Sequence, residues 1–241
     1  MVILAYSLVV LFSYLLGSIP SGFLAGKARG IDIRKEGSGN IGATNVFRIL
    51  GKQAGSCVLF ADALKGWLAV TVVAQLAFLG FGPPTLPPEA SPGLHNLQIV
   101  AGIAAILGHN YTCWLRFKGG KGVATTAGVL IAWLPMPFLV VLATWLVVFA
   151  LSRYVSLASI AAALALPFAT WWLDGRTTMI VLTSLVGALA IYKHRSNIQR
   201  LRNGTMPNRP VDADIASPLR RALAQAAACV PESADRLVVQ L

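Results

Sequence analysis

The sequence predicts an all-α integral membrane protein of about seven transmembrane helices, with the N-terminus outside and the C-terminus in the cytoplasm. Composition is the first observation: of 241 residues, 56% are hydrophobic and 12% charged, with a mean hydropathy of +0.69, where a soluble domain carries about 25% charged residues. The second is that the apolar residues come in long runs. The third is where the charge sits. Of the 20 Lys and Arg, this topology leaves only Arg176 outside and Lys65 within a span, as the cytoplasmic bias of basic residues requires. A net charge of +11 placed at the ends of apolar spans does not suit a nucleic-acid-binding domain.

Residues 2 to 25 read as the first span; no positive segment precedes them and the run is too long for a secretory leader. Pro20 breaks or kinks its end, and Lys27, Arg29, Arg34 and Lys35 hold that end in the cytoplasm. Residues 54 to 79 form the second span, with Asp62 and Lys65 on one face as a buried structural pair. The proline-rich segment from Gly82 to Asn96 lacks Lys and Arg and reads as an external loop with His95 solvated. The third run, Leu97 to Gly108, is short for a crossing and is expected to extend through Trp114, carrying His109 inside. Between Val123 and Ala150, Pro135 and Pro137 predict two short helices turning at Leu134–Pro137 and returning to the cytoplasm. Tyr154 starts the sixth span, with Ser156 and Ser159 on one face bonding to their own helix. Asp174–Gly175–Arg176 is an external turn and Thr177 to Tyr192 is the seventh span. Residues 1–205 make the membrane domain; 206–241 make a cytoplasmic tail, with a short helix over Pro218–Val230. Cys57, Cys113 and Cys229 form no C-x-x-C pair, and His95, His109 and His194 are scattered, so neither a disulfide nor a metal is expected.

Three polar stretches fall on the cytoplasmic side. GHNYTCWLRFKGGKGVATT (108 to 126) sets Gly119-Gly120-Lys121-Gly122 directly before an apolar run that can begin a helix. Glycines admit an anion close to the backbone, helix N-terminal N–H groups point at it, and lysine adds charge. This is not a Walker loop, since Leu115 replaces the first glycine and Gly122 the Ser or Thr. GSGNIGATNVFR (37 to 48) combines hydroxyl, amide and guanidinium groups and suits either a second anion or polyol site or an ordinary glycine-rich turn. Residues 193 to 205, KHRSNIQRLRNGT, form the third. Charge bias explains basic loops but not their Gly, Ser, Asn and His. One shared site explains both.

In this order, among seven apolar spans, the three stretches resemble the motifs of the bacterial acyl-phosphate:glycerol-3-phosphate acyltransferases, the PlsY family, over residues 1 to 205. The resemblance implies transfer of a fatty acyl group from acyl phosphate to the sn-1 hydroxyl of glycerol 3-phosphate. It implies lysophosphatidic acid and phosphate as products, the bacterial cytoplasmic (inner) membrane as the place, and an active site that faces the cytoplasm. It implies catalytic roles for Ser38, Arg48, Lys121, His194 and Asn197, and substrate contacts from Asn40, Asn45, His109, Gly119, Gly120, Gly122 and Ser159. The partners implied are the two substrates and the bilayer, with no cofactor, metal or nucleic acid. The third motif departs from the family at Met206, where Glu is usual. The motifs hold no carboxylate to act as base, but an acyl phosphate is already activated and its departing phosphate can take the hydroxyl proton; a Ser38 acyl-enzyme is the less favoured route. A transporter of organic phosphates is the main alternative, but it would put binding groups near mid-membrane and usually shows an internal repeat, and the sequence shows neither. A plain membrane scaffold would not need three Gly-rich polar clusters.

Overall fold

A computed structural model describes residues 1–81 and 92–205. The expected tail helix, Met206 and most of the proline-rich loop lie outside the described residues. Ten α-helices account for the framework of the described residues. Two of them, α1 (Val2–Ser18) and α2 (Ser21–Lys27), form one 26-residue apolar span interrupted at Ile19-Pro20, because a proline amide cannot continue the hydrogen-bond ladder. The next span is longer: α3 (Ala43–Leu68), a π-helical turn (Ala69–Val73) and α4 (Ala74–Phe81) run on without a loop. Its 39 residues would rise about 58 Å at 1.5 Å each, far beyond a bilayer core. Gly51 resolves the excess. Its φ of 85° and ψ of −179° turn the chain where only glycine is comfortable, so residues 43–50 form a separate first segment and the membrane part starts close to the expected residue 54.

After the gap come α5 (Pro92–Asn110), α6 (Val123–Trp133), α7 (Pro135–Ser152), α8 (Val155–Leu173), α9 (Thr177–Lys193) and α10 (Arg195–Arg202). The third span gains its length at the other end from the one expected. It starts at Pro92 and stops at Asn110 instead of extending through Trp114, because Thr112 is extended (φ −64°, ψ 128°) and a 3-10 turn, Cys113–Leu115, follows. The proline turn at Leu134 does divide α6 from α7, with Pro135 at the first helical position where its missing N–H costs nothing, but only α6 is short as expected, α7 having 18 residues. Among the described residues four spans are long and apolar enough to cross a membrane, or five if α9 and α10, bent by 56° at His194, count as one. The α5 helix has the length but carries polar residues at both ends, and α6, at 11 residues, is too short to cross alone.

The bundle is knit by small residues, as is usual where lipid leaves no hydrophobic drive between helices. Chiefly α1 packs on α5, α3 on α6, and α8 on both α7 and α9. A Cβ at Gly17 or Gly108 would collide with the α5 or α1 backbone, and one at Gly66 or Gly128 with α6 or α3. Between these contacts Val129, Leu130, Trp133, Leu166 and Met179 fill the centre. Outward, Trp171, Trp172 and Phe168 are exposed near the end of α8, the place of an interfacial aromatic belt.

The two ends of the bundle differ. At one, Arg176 binds Asp174 at 2.7 Å and lies 3.2 Å from His95, which is half-buried against it instead of solvated as expected. At the other, the loops before α3, α6 and α10 gather.

Candidate active site

Each of the three polar stretches runs into a helix N-terminus: Gly42 caps α3, Gly122 caps α6 and His194 caps α10. Free N–H groups and the positive end of the helix dipole therefore come with each motif.

In the first stretch Asn45 is the organiser. Wholly buried, it accepts from the Ser38 backbone N–H through Oδ1 (2.9 Å) and donates through Nδ2 to the carbonyls of Ile33 (3.2 Å) and Glu36 (3.0 Å). Asn40 accepts from the Gly42 N–H at 3.1 Å and so shapes the entry to α3. These bonds leave the Ser38 side chain exposed on the loop, while Ile33, Ile41, Val46 and Leu115 pack beneath. Arg48 projects from the second turn of α3 and is half-buried.

The second stretch folds back on the end of α5. The Gly120 N–H donates to the His109 carbonyl at 3.0 Å, and a side chain on Gly120 would run into the His109 imidazole, one on Gly119 into the His109 carbonyl. Gly122 takes a φ of 76° with Asn110 against it, so glycine is required by contact at 119 and 120 and by backbone angle at 122. Before them Arg116 and Phe117 both hold left-handed backbone angles (φ 54° and 59°), a strained reversal for side-chain-bearing residues. Trp114 and Phe117 are exposed on this loop, where a membrane interface would receive them.

Lys121 joins the third stretch, its ammonium donating to the Asn197 side-chain carbonyl on α10. Burial, and then the charges of Arg200, Arg48 and Lys193, lower its pKa to about 8. His194 is buried at the α9–α10 bend. Burial and the Lys121 charge bring it down to about 4, so it is neutral at pH 7, and with Nδ1 donating to the Ala190 carbonyl at 2.8 Å its Nε2 is left as an acceptor. Lys193 donates to the Asn110 carbonyl at 3.0 Å and lies 4.5 Å above the Tyr111 ring.

The charges of Arg48, Lys193 and Arg200 thus all bear on Lys121, and none of the four has a carboxylate partner among the described residues. Such mutual repulsion in a part-buried place is relieved by anions. His109, Gly119, Gly120, Gly122, Lys121, His194 and Asn197 form one group: His109 abuts Gly119 and Gly120, Lys121 bonds Asn197, and the Lys121 charge acts on His194. Ser38, Asn40 and Asn45 form a second group, joined to the first through Arg48. Ser159 stands apart in its bonding: it donates to the Val155 carbonyl (2.8 Å), as expected of its helix, and accepts from the Trp145 indole (3.2 Å), while the Ser156 hydroxyl is buried without a partner.

The expected pair Asp62–Lys65 is present at 2.8 Å and buried. It has a neighbour that sequence reasoning missed, since the Asp62 carboxylate is also 3.6 Å from the His109 Nδ1. Lys193 and Arg200 were legible as charge in the third stretch but not as members of the cluster.

An all-helical membrane bundle with a one-ended cationic cluster defines the class. Within it, the family model of glycerol-3-phosphate acyltransferases matches residues 7–204. The glycerol-3-phosphate acyltransferase of Geotalea daltonii is 46% identical, covering 81% of this chain and 93% of the relative, and that of Geobacillus kaustophilus is 45% identical, covering 83% and 94%. A crystal structure of PlsY (YgiH), an integral membrane glycerol 3-phosphate acyltransferase in its glycerol 3-phosphate form, is 40% identical and superposes with a TM-score of 0.71 over 83% of this chain and 93% of that one. Its lysophosphatidic acid form gives a TM-score of 0.70. The chain belongs to the glycerol-3-phosphate acyltransferase family.

Proposed function

We propose that this protein transfers a fatty acyl group from acyl phosphate to the sn-1 hydroxyl of glycerol 3-phosphate at the cytoplasmic face of a bacterial inner membrane, with seven crossing segments and an external N-terminus. The observation that carries the reading is the cluster of four cations with no carboxylate partner among the described residues, fed by three helix N-termini at one end of the bundle. Two phosphorylated substrates suit it. One of them also carries a long apolar chain, and a wholly apolar groove between α5 and α9 suits that: Leu107 and Leu189 on its wall lie just before His109 and His194 in the chain.

In the transfer, the glycerol 3-phosphate hydroxyl oxygen attacks the acyl carbonyl carbon. The carbonyl carbon to phosphate oxygen bond breaks, and inorganic phosphate leaves carrying the hydroxyl proton. Lys121 and Arg48 hold the phosphate groups, and the N–H groups of the first turn of α6, after the Gly122 cap, add donors to the developing charge. Asn197 fixes the Lys121 ammonium. His194 offers a neutral Nε2 to the neighbouring hydroxyl of glycerol 3-phosphate and so orients the attacking one, whose proton stays free to leave with the phosphate. Asn45 and Asn40 shape the Ser38 loop around the second anion.

The test is a purified-protein assay in detergent offering acyl phosphate, acyl thioester to coenzyme A or acyl thioester to carrier protein with glycerol 3-phosphate. Lysophosphatidate is expected from acyl phosphate alone. Product from a thioester and none from acyl phosphate would overturn the donor assignment.

A further inference from the structure

The described buried charges that the proposed transfer does not use lie directly behind the site. Asp62 and Lys65 of α3 are 2% and 5% exposed and 2.8 Å apart. Asp62 also accepts from the Ser21 hydroxyl at 2.9 Å, and the Lys65 ammonium donates to the Ile19 carbonyl at 2.8 Å. Both partners belong to the break between α1 and α2, where the Ile19 carbonyl also accepts from the Ser21 N–H at 3.1 Å. The same Asp62 oxygen, Oδ1, also lies 3.6 Å from the His109 Nδ1, a contact longer than a hydrogen bond but close enough to orient a ring. The opposite edge of that ring, Nε2, abuts Gly120, whose N–H is bound to the His109 carbonyl. One residue further on is Lys121.

We propose that Asp62 and Lys65 are positioning residues, which hold the His109 imidazole in one orientation and thereby fix the Gly119–Gly122 turn that presents Lys121 to substrate. The chain of contact is continuous: the helix break, the ion pair, the imidazole, the glycine turn. A buried ion pair is weak evidence for stability, since apolar residues of like volume often replace one without loss. In a membrane helix a charge pair kept at that cost points instead to a role near a site. The carboxylate is the polar partner of the Nδ1 edge of the ring, and Lys65 holds that carboxylate in place. The ring can then fill the space that only Gly120 leaves open.

This inference rests on the proposed acyl transfer for its kinetic test, and a second measurement is independent of it. The double variant Asp62→Leu/Lys65→Met removes both charges at similar volume and is expected to fold. In lipid nanodiscs, amide hydrogen exchange across residues 116–122 should quicken about tenfold or more, while the middles of α5 and α6 stay as protected as before. In the acyl phosphate assay its kcat/KM should fall at least tenfold. In a His109→Ala background the same pair of changes should have less than a twofold further effect, since residues acting through one another are not additive. Asp62→Glu should restore part of the activity. Unchanged exchange in the turn, or full activity in the double variant, or an equal further loss without His109, would overturn the proposal. Absence of acyl transfer in the unsubstituted protein would refute the acyltransferase reading, with the exchange result still deciding this one.

Discussion

At Lys121, two features bear on one side chain: it is fixed by Asn197, and its charge is opposed by burial, Arg200, Arg48 and Lys193. With a pKa held near 8, the free protein loses this charge as pH rises through that value. The kcat/KM profile should therefore show an alkaline limb near pH 8. A bound phosphate restores proton affinity, so the limb in kcat should lie higher. Lys121→Arg, which stays protonated throughout, should move the limb out of range, and a limb that stays at 8 would belong to another group. Lys121→Ala and Arg48→Ala each remove charge-assisted hydrogen bonds worth about 1.5 to 3 kcal/mol, so each should lower kcat/KM by one to two decades with the protein still monodisperse. Near-normal kinetics in either would take that residue out of the site. His194 behaves differently, for it is already neutral: His194→Ala should weaken positioning without deleting a limb near pH 6.5. Loss of such a limb, together with a fall of about two to four decades, would mark it as the general base instead.

Among the elements, the loops carry the difference between holding and reacting. Asn45 spends its side chain on three backbone groups, so Asn45→Ala should lower the melting temperature as well as activity, whereas Lys121→Ala should lower activity alone; equal melting temperatures for both would show that the loop is held by other means. The residue types at this site were legible because an anion cradle demands Gly, Lys, Arg and amides in close sequence. What the sequence could not tell was why Asn45 is there: a buried bond to Ile33 is a tertiary fact. The helix turns at Pro20 and Leu134–Pro137 were legible because proline's missing N–H acts locally. The end of α5 was not, because Thr112 is extended through contacts with α1, its hydroxyl donating to the Ser18 carbonyl at 2.6 Å. The Asp62–Lys65 pair was visible from its spacing on one helix, but its contact with His109 joins two helices and no local pattern announces it.

For the molecule as a whole, the contacts give two distinct ends, one with Asp174, Arg176 and His95 and the other with the cationic cluster. Cysteines placed at Asn40 and Asn203 should resist an impermeant thiol reagent in intact cells, while one placed at Gly175 should react; external labelling at either of the first two would break the single cytoplasmic site. That the protein is an all-helical membrane protein followed from composition and the long apolar runs, because a bilayer admits so few structures. The central claim is that the cluster positions two phosphorylated molecules for direct transfer, and a single-turnover experiment tests it most directly. Protein at stoichiometric concentration is mixed with acyl phosphate, then quenched before and after glycerol 3-phosphate is added. Direct transfer predicts no acylated protein and no phosphate release in the first interval, then lysophosphatidate and phosphate in equal amounts. A burst of phosphate with an acyl ester on Ser38 before glycerol 3-phosphate arrives would contradict it.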